Sequence, residues 1–581
     1  MSIPPPRFRQ AALFLDAGML EAARDTLGPL RPEDPGDPLF SLWCRLMARS
    51  ERDPLLAIAQ LRAAEDQGDP DLLNDLALRL IERGQESAAQ SLLDRLLNLA
   101  PDHGPARHNR GRMGLARLET GDGSGLESVL DDLQQAAVAL PDQADIWADL
   151  GHAHKLAGNF TAALEVLDRA TGVAPDRADL WDALGGAALA ADAPIQAVMA
   201  FEKAVGCAPD RVESWANLAA ARIELRDLAG ADQACESALS LAPEDPGSRV
   251  NRAFVDCLRG QYGRGLVDYA WRWQTAEFQQ SYAPVAAPCW TGDGPVPGPP
   301  EHPLLIRFEQ GFGDQIMAVR FVGPLLDRLA TQDPDRRVIL ECHPALHRLF
   351  AASLPLDPDR LILLPMGPPP PPVAAWIGAL DLARPLGLDD RCLVPGPMPC
   401  LSPPEDRLPE ALQTFLDQGP AVGVAWVGKP KPKNRSCPAE MLIPALLAAG
   451  LRVVSLQTGP PAAALNPAWD RTGEALFDAG PLLQDFASTA AVMARLSAVV
   501  SVDTAVAHLA GALGRPVSIL LVEAPDWRWG AVGDRCAWYP TARLYRRPER
   551  NQAAWADPIA ALVRALRTDP LHGGFGDASR A

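Results

Sequence analysis

The spacing of apolar residues changes near the middle of the chain. In the first half they recur at helical intervals, and the most recognisable positions return every 34 residues. These positions are Trp147, Trp181 and Trp215, each followed three residues later by leucine, and Pro141, Pro175, Pro209 and Pro243. In the second half, short apolar runs alternate with helical segments, as in parallel α/β sheets. The pattern therefore predicts a helical array followed by an α/β region.

The 34-residue period, with a tryptophan in the first helix and a proline after the second, is typical of the tetratricopeptide repeat. We predict a repeat solenoid over residues 1–280, with clear repeats over 141–243, degenerate ones before them and a capping repeat over 243–273. The concave face of such an array usually holds a peptide or a partner helix, although the contact residues are not predicted. A spacer or dimerisation module is the alternative. Protein binding is favoured because stability alone needs only about three repeats.

A segment rich in proline and glycine, 281–303, separates the two halves and predicts a linker. The following strand–helix alternation predicts two doubly wound α/β lobes, over residues 304–400 and 401–568, and a flexible tail over 569–581. The predicted buried strands include 304–308, 337–342, 361–364, 421–428, 452–457, 498–502 and 517–521. The predicted fold class is therefore multi-domain, with an all-α repeat solenoid followed by a two-lobed α/β region.

The composition excludes several functions. Hydrophobic residues make up 48% of the 581 positions, yet no run approaches the roughly 20 apolar residues of a membrane span. A net charge of −19 argues against a nucleic-acid partner, because phosphate backbones require a basic surface. The chain shows no signal peptide, and its ten cysteines form no C-x-x-C pair. We therefore expect a cytoplasmic protein without a metal site.

Cationic residues concentrate in one loop of the second lobe. Only five lysines occur in the chain, and three of them are Lys429, Lys431 and Lys433, followed closely by Arg435. The loop comes directly after a predicted buried strand. Loops at the carboxyl ends of parallel strands form the ligand-binding edge of such sheets. The concentration of charge in a lysine-poor chain therefore indicates that this cationic loop has a function.

A glycine-rich turn follows the first strand of the first lobe. Gly311 and Gly313 allow a tight turn and a close approach by a ligand, and Asp314 lies near the start of the next helix. The match to the dinucleotide motif G-x-G-x-x-G is incomplete, so no dinucleotide site is predicted. Asp314 is either a helix cap or a general base directed into a cleft.

A second polar turn lies between the strands at 498–502 and 517–521. Asp503 and Thr504 open a short alanine-rich helix, and His508 lies one helical turn farther on. The first two residues either cap the helix or help to bind a phosphate, and His508 either faces the ligand or packs against the sheet. Gln457 ends a neighbouring strand. We expect these loops and the lysine loop to meet at one edge of the sheet.

Six motifs resemble the bacterial tetratricopeptide-repeat glycosyltransferases, which are related to heptosyltransferases and more distantly to O-linked N-acetylglucosamine transferases. They run in order through about residues 243–548: E-Q-G-x-G-D, A-W-x-G-x-x-x-x-x-N-R-S, S-L-Q-x-G-P, D-F-x-x-T-A, S-V-D-T-x-V-A-H-L-A-G-A-L-G-x-P-V and A-P-D-W-R-W. The resemblance implies a two-lobed GT-B architecture and sugar transfer from a nucleotide donor without a metal. The sequence also has no convincing D-x-D metal motif.

The resemblance also implies roles for individual residues. Asp314 matches the catalytic base, and the loop from Lys429 to Arg435 falls where cations meet the donor phosphates. Asp503, Thr504 and His508 match a segment that lines the nucleotide-sugar site. Gln457 and Asp485 are candidates for orienting the donor. The first lobe is shorter than in heptosyltransferases, so the acceptor site must differ, and the repeats are candidates to complete it.

The order of repeats and shortened transferase most resembles flagellin glycosyltransferases of alphaproteobacteria. That resemblance implies that flagellin docks on the repeats and receives a nonulosonic acid from a CMP-linked donor, which is a co-substrate and not a cofactor. Two alternatives stay open. One is transfer to lipopolysaccharide or another surface glycan, and the other is a repeat scaffold with an inactive transferase domain. The sequence does not predict the oligomeric state.

Overall fold

The computed structural model describes residues 70–121, 124–309, 311–357, 359–367, 369–388, 399–429, 434–470 and 472–568, together with positions 10, 22, 23 and 26. The tail predicted over residues 569–581 lies outside this set, as do Lys431 and Lys433. The chain divides into two compact units, Met1–Pro209 and Asp210–Ala581. The division falls inside the solenoid predicted over residues 1–280, so the last repeats belong to the same unit as the α/β lobes.

The described part of the first unit consists of paired antiparallel helices. They are α1 (Pro70–Glu82), α2 (Glu86–Leu99), α3 (Gly104–Glu119), α4 (Leu126–Ala139), α5 (Ala144–Leu156), α6 (Phe160–Val173), α7 (Ala178–Ala190) and α8 (Pro194–Cys207). The indole Nε1 of Trp147 donates a hydrogen bond to the carbonyl oxygen of Pro141 at 2.9 Å, and Trp181 does the same to Pro175 at 2.8 Å. These two marker tryptophans therefore tie their repeats to the prolines that close the preceding ones.

The second unit opens with helices that continue the repeat pattern. They are α9 (Val212–Glu224), α10 (Leu228–Leu241), α11 (Pro246–Leu258), α12 (Tyr262–Tyr269) and the short α13 (Ala276–Ser281), with a 3-10 turn at Ala270–Gln274. Arg272 in that turn is buried and binds two acids of the first lobe, Glu309 at 2.7 Å and Asp381 at 2.6 Å. The capping repeat is therefore joined to the first lobe by buried ion pairs.

The first lobe is a four-stranded parallel sheet in the order β3-β2-β1-β4. Its elements are β1 (Leu304–Arg307), α14 (Phe312–Ala318), α15 (Val322–Gln332), β2 (Val338–Cys342), α16 (Pro344–Ser353), β3 (Leu361–Pro365) and β4 (Ala375–Gly378). A 3-10 turn at Val319–Phe321 separates α14 from α15 and interrupts the helical stretch. Pro324 explains the interruption, because its ring would clash with the carbonyl of Arg320 in a continuous helix.

The second lobe is a six-stranded parallel sheet in the order β10-β9-β8-β5-β6-β7. Its strands are β5 (Ala421–Ala425), β6 (Arg452–Ser455), β7 (Leu476–Asp478), β8 (Ala498–Val502), β9 (Val517–Leu521) and β10 (Ala542–Arg546). Its helices are α17 (Glu410–Asp417), α18 (Ala439–Ala448), α19 (Phe486–Ala494), α20 (Ala505–Ala512) and α21 (Ala556–Thr568). The predicted class, repeats followed by parallel α/β lobes, is confirmed.

The strand order decides where the candidate loops lie. Strands β8, β5 and β6 are neighbours in the sheet, so their carboxyl ends share one edge. Asp503, Arg435 and Gln457 follow these three strands and therefore meet at this edge, as predicted. Among the described residues, no helix combines the length and the hydropathy that crossing a bilayer requires.

One hydrophobic core extends through three parts of the second unit. It joins the last repeat helices, the first lobe and the second lobe through buried residues such as Leu266, Ile306 and Trp527. A second core fills the opposite face of the six-stranded sheet, around Trp426 and Leu442. The two sheets and the last repeats therefore fold around shared apolar surfaces.

Candidate active site

The turn after β1 forms one wall of a cleft between the lobes. Gly311 is the N-cap of α14, and Asp314 lies in the first turn of that helix, where a carboxylate is stabilised by the helix dipole. A Cβ atom on Gly311 would lie 2.8 Å from Oδ2 of Asp314, and one on Gly313 would lie 2.7 Å from Cδ2 of His508. Gly313 therefore requires glycine because the packed ring of His508 occupies the neighbouring space, whereas a side chain at position 311 would displace the Asp314 carboxylate.

A buried glutamine holds this turn in place. The amide nitrogen of Gln315 donates a hydrogen bond to the carbonyl oxygen of Glu309 at 2.7 Å, and its amide oxygen accepts one from the backbone N–H of His343 at 2.9 Å. Gln315 is fully buried. The side chain therefore links the loops that follow β1 and β2, and it fixes the position from which Asp314 enters the cleft.

The turn after β8 forms the facing wall. Thr504 caps α20 by accepting a hydrogen bond from the backbone N–H of Val506, and its hydroxyl lies 3.0 Å from that of Ser501. Asp503 is buried and binds the guanidinium of Arg435 at 2.6 Å. Thr504 thus does serve as a helix cap, and the same residue also lines the cleft. The capping and ligand-lining interpretations of this residue are compatible.

The cationic loop contributes Lys429 and Arg435 to the cleft. Gly428 precedes them, and a Cβ atom there would lie 3.1 Å from Cβ of Arg435 and 3.3 Å from the carbonyl oxygen of Asp503. The loop therefore packs closely against the turn after β8. The ion pair with Asp503 holds the guanidinium of Arg435 at the cleft wall.

His508 lies at the junction of the two lobes. Its ring is buried, its Nδ1 lies 2.9 Å from the hydroxyl of Tyr539, and its centroid lies 4.8 Å from that of Trp529. Burial lowers the pKa of His508 to about 3, so the imidazole is neutral at physiological pH. The other edge of the ring approaches Gly313 of the first lobe. His508 therefore both packs tightly and lines the cleft.

The sequence prediction gave no role to Arg528, which faces Asp314. Arg528, in the 3-10 turn Trp527–Trp529, binds the carboxylate of Asp314 at 2.6 Å and that of Asp526 at 2.7 Å. Its guanidinium also lies over the ring of Trp527, at 4.3 Å. The signal was the A-P-D-W-R-W motif, which carried no role in the prediction. Its partner Asp314 comes from the other lobe, and sequence spacing does not reveal such an approach.

Two opposing effects set the charge of Asp314. Burial raises the pKa of Asp314, and the positive charge of Arg528 acts in the opposite direction. For Asp526 burial also favours the neutral acid, but Arg528 outweighs it and the pKa of Asp526 is lowered. The same two carboxylates raise the pKa of Arg528 well above its usual range, against the effect of burial. Arg528 is therefore a fixed positive charge between two acids.

Gln457 and Asp485 lie farther along the cleft. The amide oxygen of Gln457 accepts hydrogen bonds from the backbone N–H groups of Trp426 at 3.1 Å and Val427 at 3.0 Å. Asp485 caps α19 and binds Arg348 of the first lobe at 2.8 Å, and this guanidinium lowers the pKa of Asp485 to about 2. Both side chains line the cleft, and both also have defined structural bonds.

The cleft consists of two adjoining cavities. The first, which we call the reaction cavity, measures about 310 Å³ and is lined by Asp314, Lys429, Arg435, Thr504, His508 and Arg528, among others. The second, the distal cavity, measures about 300 Å³ and includes Gln457 and Asp485. They share Phe312, Val427, Thr504 and Ala505. Together they form a continuous groove between the lobes, with charged side chains concentrated in the reaction cavity.

Comparisons with known proteins match the repeat region and the second lobe to different families. Residues 481–554 match the model of glycosyltransferase family 9 (heptosyltransferase), and residues 144–177 and 212–245 match the tetratricopeptide repeat. Over 346 residues the chain is 25% identical to Protein FlbA of Caulobacter vibrioides, which covers 54% of this chain and 54% of that protein. The chain thus spans about half the length of this curated relative.

Solved structures with similar chains include two proteins at 16% sequence identity. The tetratricopeptide-repeat protein YrrB, described as having an unusual peptide-binding site, covers 32% of this chain and 92% of its own, with a TM-score of 0.29. The PilF protein of Pseudomonas aeruginosa covers 37% and 97%, with a TM-score of 0.30. The chain thus combines tetratricopeptide repeats with a segment that matches glycosyltransferase family 9, which indicates a repeat-containing glycosyltransferase.

Proposed function

We propose that the chain is a protein O-glycosyltransferase of the GT-B type that works without a metal. It moves a sugar from a nucleotide donor to a serine or threonine hydroxyl of a protein docked on the repeats. The observation that carries the proposal is the reaction cavity, in which Asp314 of one lobe lies among the cations Lys429, Arg435 and Arg528. A carboxylate and a set of cations are the two groups that such a transfer requires.

In the proposed reaction, Asp314 is the general base. Its carboxylate accepts the proton of the acceptor hydroxyl while that oxygen attacks the anomeric carbon of the donor. The carboxylate must be ionised to do so, and Arg528 favours the ionised form against the effect of burial. Gln315 and the two glycines hold the turn so that the carboxylate enters the cleft at a fixed position.

The bond from the anomeric carbon to the phosphate oxygen breaks in the same reaction, and negative charge develops on the departing nucleotide. Lys429 and Arg435 line the cavity beside the N-terminus of α20, and positive groups placed in advance stabilise such a charge. Gln457 and Asp485 in the distal cavity are the proposed contacts for the nucleoside. Lys431 and Lys433 lie outside the described residues and stay candidate phosphate contacts on the sequence resemblance alone.

The proposed acceptor is flagellin, and the proposed donor is a CMP-linked nonulosonic acid. This choice rests on the sequence resemblance described above and on the order of domains. The repeats supply a surface of the kind that binds extended polypeptide. The matched segments at residues 144–177 and 212–245 lie on both sides of the boundary between the two compact units.

A second candidate is transfer to lipopolysaccharide or another surface glycan. The observation in its favour is the family match itself, because glycosyltransferase family 9 is described by its heptosyltransferases. Under this alternative the repeats would recruit other proteins. The donor site would be the same, and only the acceptor would differ.

The test uses the purified full chain with CMP-pseudaminic acid and two acceptors, flagellin and lipopolysaccharide from the same organism. We expect intact-mass spectrometry to show flagellin heavier by one or more sugar residues, and the Asp314→Asn variant to abolish this increase. The variant should still bind CMP, because Asp314 belongs to the wall opposite the phosphate-binding cations. A mass increase on lipopolysaccharide alone would favour the second candidate. Transfer by Asp314→Asn at the normal rate would refute the assignment of the base.

A further inference from the structure

A third cavity adjoins the reaction cavity on the side away from Gln457. It measures about 250 Å³ and shares Arg435 and Asp526 with the reaction cavity, but it shares no residue with the distal cavity. The three cavities therefore form a row, with the reaction cavity in the middle. We call this third space the repeat-side cavity, because half of its wall comes from repeat helices.

The wall of the repeat-side cavity is mainly apolar. The repeat helices contribute Ile223, Leu228, Phe254 and Leu258, and the second lobe contributes Pro525 and Trp527. The charged groups at its margin already have partners. Arg226 donates a hydrogen bond to the carbonyl oxygen of Ala531 at 2.7 Å, and Arg435 is bound to Asp503.

The apolar part of this wall argues against a nucleotide or an unmodified sugar as its occupant. Their hydroxyl and phosphate groups would lose water without gaining hydrogen-bond partners from leucine, isoleucine and phenylalanine. The volume is also below the roughly 300–1,000 Å³ of typical small-molecule sites. A single large apolar side chain fits both the size and the chemistry.

We propose that the repeat-side cavity receives an apolar side chain of the acceptor polypeptide, close in sequence to the modified serine or threonine. The inference rests on the proposed function, and it names the feature of the acceptor polypeptide that the acceptor site recognises. The cavity is continuous with the reaction cavity, and it is walled by the helices of a matched tetratricopeptide repeat. It lies at the opposite end of the row from the proposed nucleoside contacts. A polypeptide crossing from the repeats to Asp314 would therefore pass over it.

The test fills the cavity and leaves the rest of the repeat unchanged. Leu228→Trp places an indole in the cavity wall at the first residue of α10. The matched control is Leu241→Trp at the last residue of the same helix, where the leucine is 44% exposed and outside the cavity. Both variants are assayed as full chains, with CMP-pseudaminic acid as donor and flagellin as acceptor. CMP release without flagellin is measured alongside transfer.

For Leu228→Trp we expect the KM for flagellin to rise about tenfold or more, as when the pocket for a central apolar anchor is blocked. The KM for the donor and the release of CMP without flagellin should stay within twofold of the control. An unchanged KM for flagellin would overturn the inference. So would a change in the donor KM alone, because the cavity would then belong to the donor site.

A second variant covers the case in which the indole prevents folding. Phe254→Ala enlarges the same cavity from α11, and its thermal unfolding is compared with that of the wild type. We expect a higher KM for flagellin with unchanged donor kinetics, whereas an unchanged KM for flagellin would again overturn the inference. Absence of transfer by the wild type and by Leu241→Trp would instead contradict the proposed function, so the two failures are distinguishable.

Discussion

Replacing Arg528 by glutamine tests the electrostatic control of the proposed base. Burial raises the pKa of Asp314. Arg528, which binds Asp314 at 2.6 Å across the cleft, is the largest influence that opposes this rise. Glutamine keeps much of the volume of the side chain and removes the charge. Burial then acts on Asp314 without an opposing charge, so the pKa of Asp314 must rise further.

The size of the effect follows from the geometry. An opposite charge within about 4–6 Å lowers the pKa of a carboxyl group by about 1–3 units. The Asp314 side chain is 25% exposed, and solvent screens part of the interaction. We therefore expect an increase of about 1–2 units, in the lower half of that range. A base works only when ionised, so the acidic limb of the pH profile should move to higher pH by the same amount.

The assay measures kcat/KM for CMP release in the presence of flagellin between pH 5 and 9. Arg528→Lys keeps the charge but loses the planar guanidinium that binds two carboxylates, so the acidic limb should move less than in Arg528→Gln. Arg564→Gln, at an exposed position of α21, is the matched control for loss of one positive charge. An acidic limb that stays in place in Arg528→Gln while the donor KM rises would refute the reasoning, because Arg528 would then serve only as a phosphate ligand.

Three further predictions concern packing and stability. Gly313→Ala should lower kcat by tenfold or more and destabilise the fold by about 1–3 kcal/mol in urea unfolding, because its Cβ would lie 2.7 Å from the packed ring of His508; a stable, fully active variant would contradict the described turn. Asp381→Ala should cost about 3–5 kcal/mol in the same measurement, since it leaves the buried Arg272 short of a partner; a loss below about 1 kcal/mol would show that the pair is not desolvated. His508, whose pKa is lowered to about 3, takes up a proton near pH 6.5 only when unfolded. The free energy of unfolding is therefore unaffected by His508 above that pH and falls by about 1.4 kcal/mol for each pH unit below it. In His508→Phe the free energy of unfolding should depend less steeply on pH between pH 7 and 5, and an unchanged slope would count against a neutral buried imidazole.

The sequence predicts the repeat helices and most strands because their signals are local. A 34-residue period and a run such as Ala498–Val502 are visible without knowledge of the fold. Two edge strands, β4 and β10, were missed. Strand β4 has four residues and contains Trp376, and β10 alternates apolar residues with arginine in the sequence Ala542–Arg546. Edge strands are shorter and less uniformly apolar than central ones, so their pattern resembles that of a loop.

The residues of the candidate site likewise divide into those that the sequence predicts and those that it does not. Asp314, Thr504 and Arg435 were identified because each lies at a turn after a strand, where parallel sheets bind ligands. Arg528 was missed because its significance depends on a carboxylate more than two hundred positions away in the sequence. Only the folded chain brings this guanidinium to Asp314, and no local pattern encodes that approach. The charge of the proposed base is therefore a property of the tertiary structure.

The boundary of the transferase differs between sequence and structure for a physical reason. Proline and glycine mark a linker at residues 281–303, but the hydrophobic core of the first lobe continues into α11 and α12, where Leu258, Tyr262 and Leu266 are buried against it. A fragment beginning at Leu304 would expose these apolar contacts and leave Glu309 without Arg272. Burial already raises the pKa of Glu309 to about 7 even though Arg272 opposes it, so this carboxylate depends on the repeat for its charge partner. The last repeats thus complete the fold of the short first lobe and supply a wall next to the reaction cavity. This dual role explains how a lobe of about a hundred residues can form one side of the cleft.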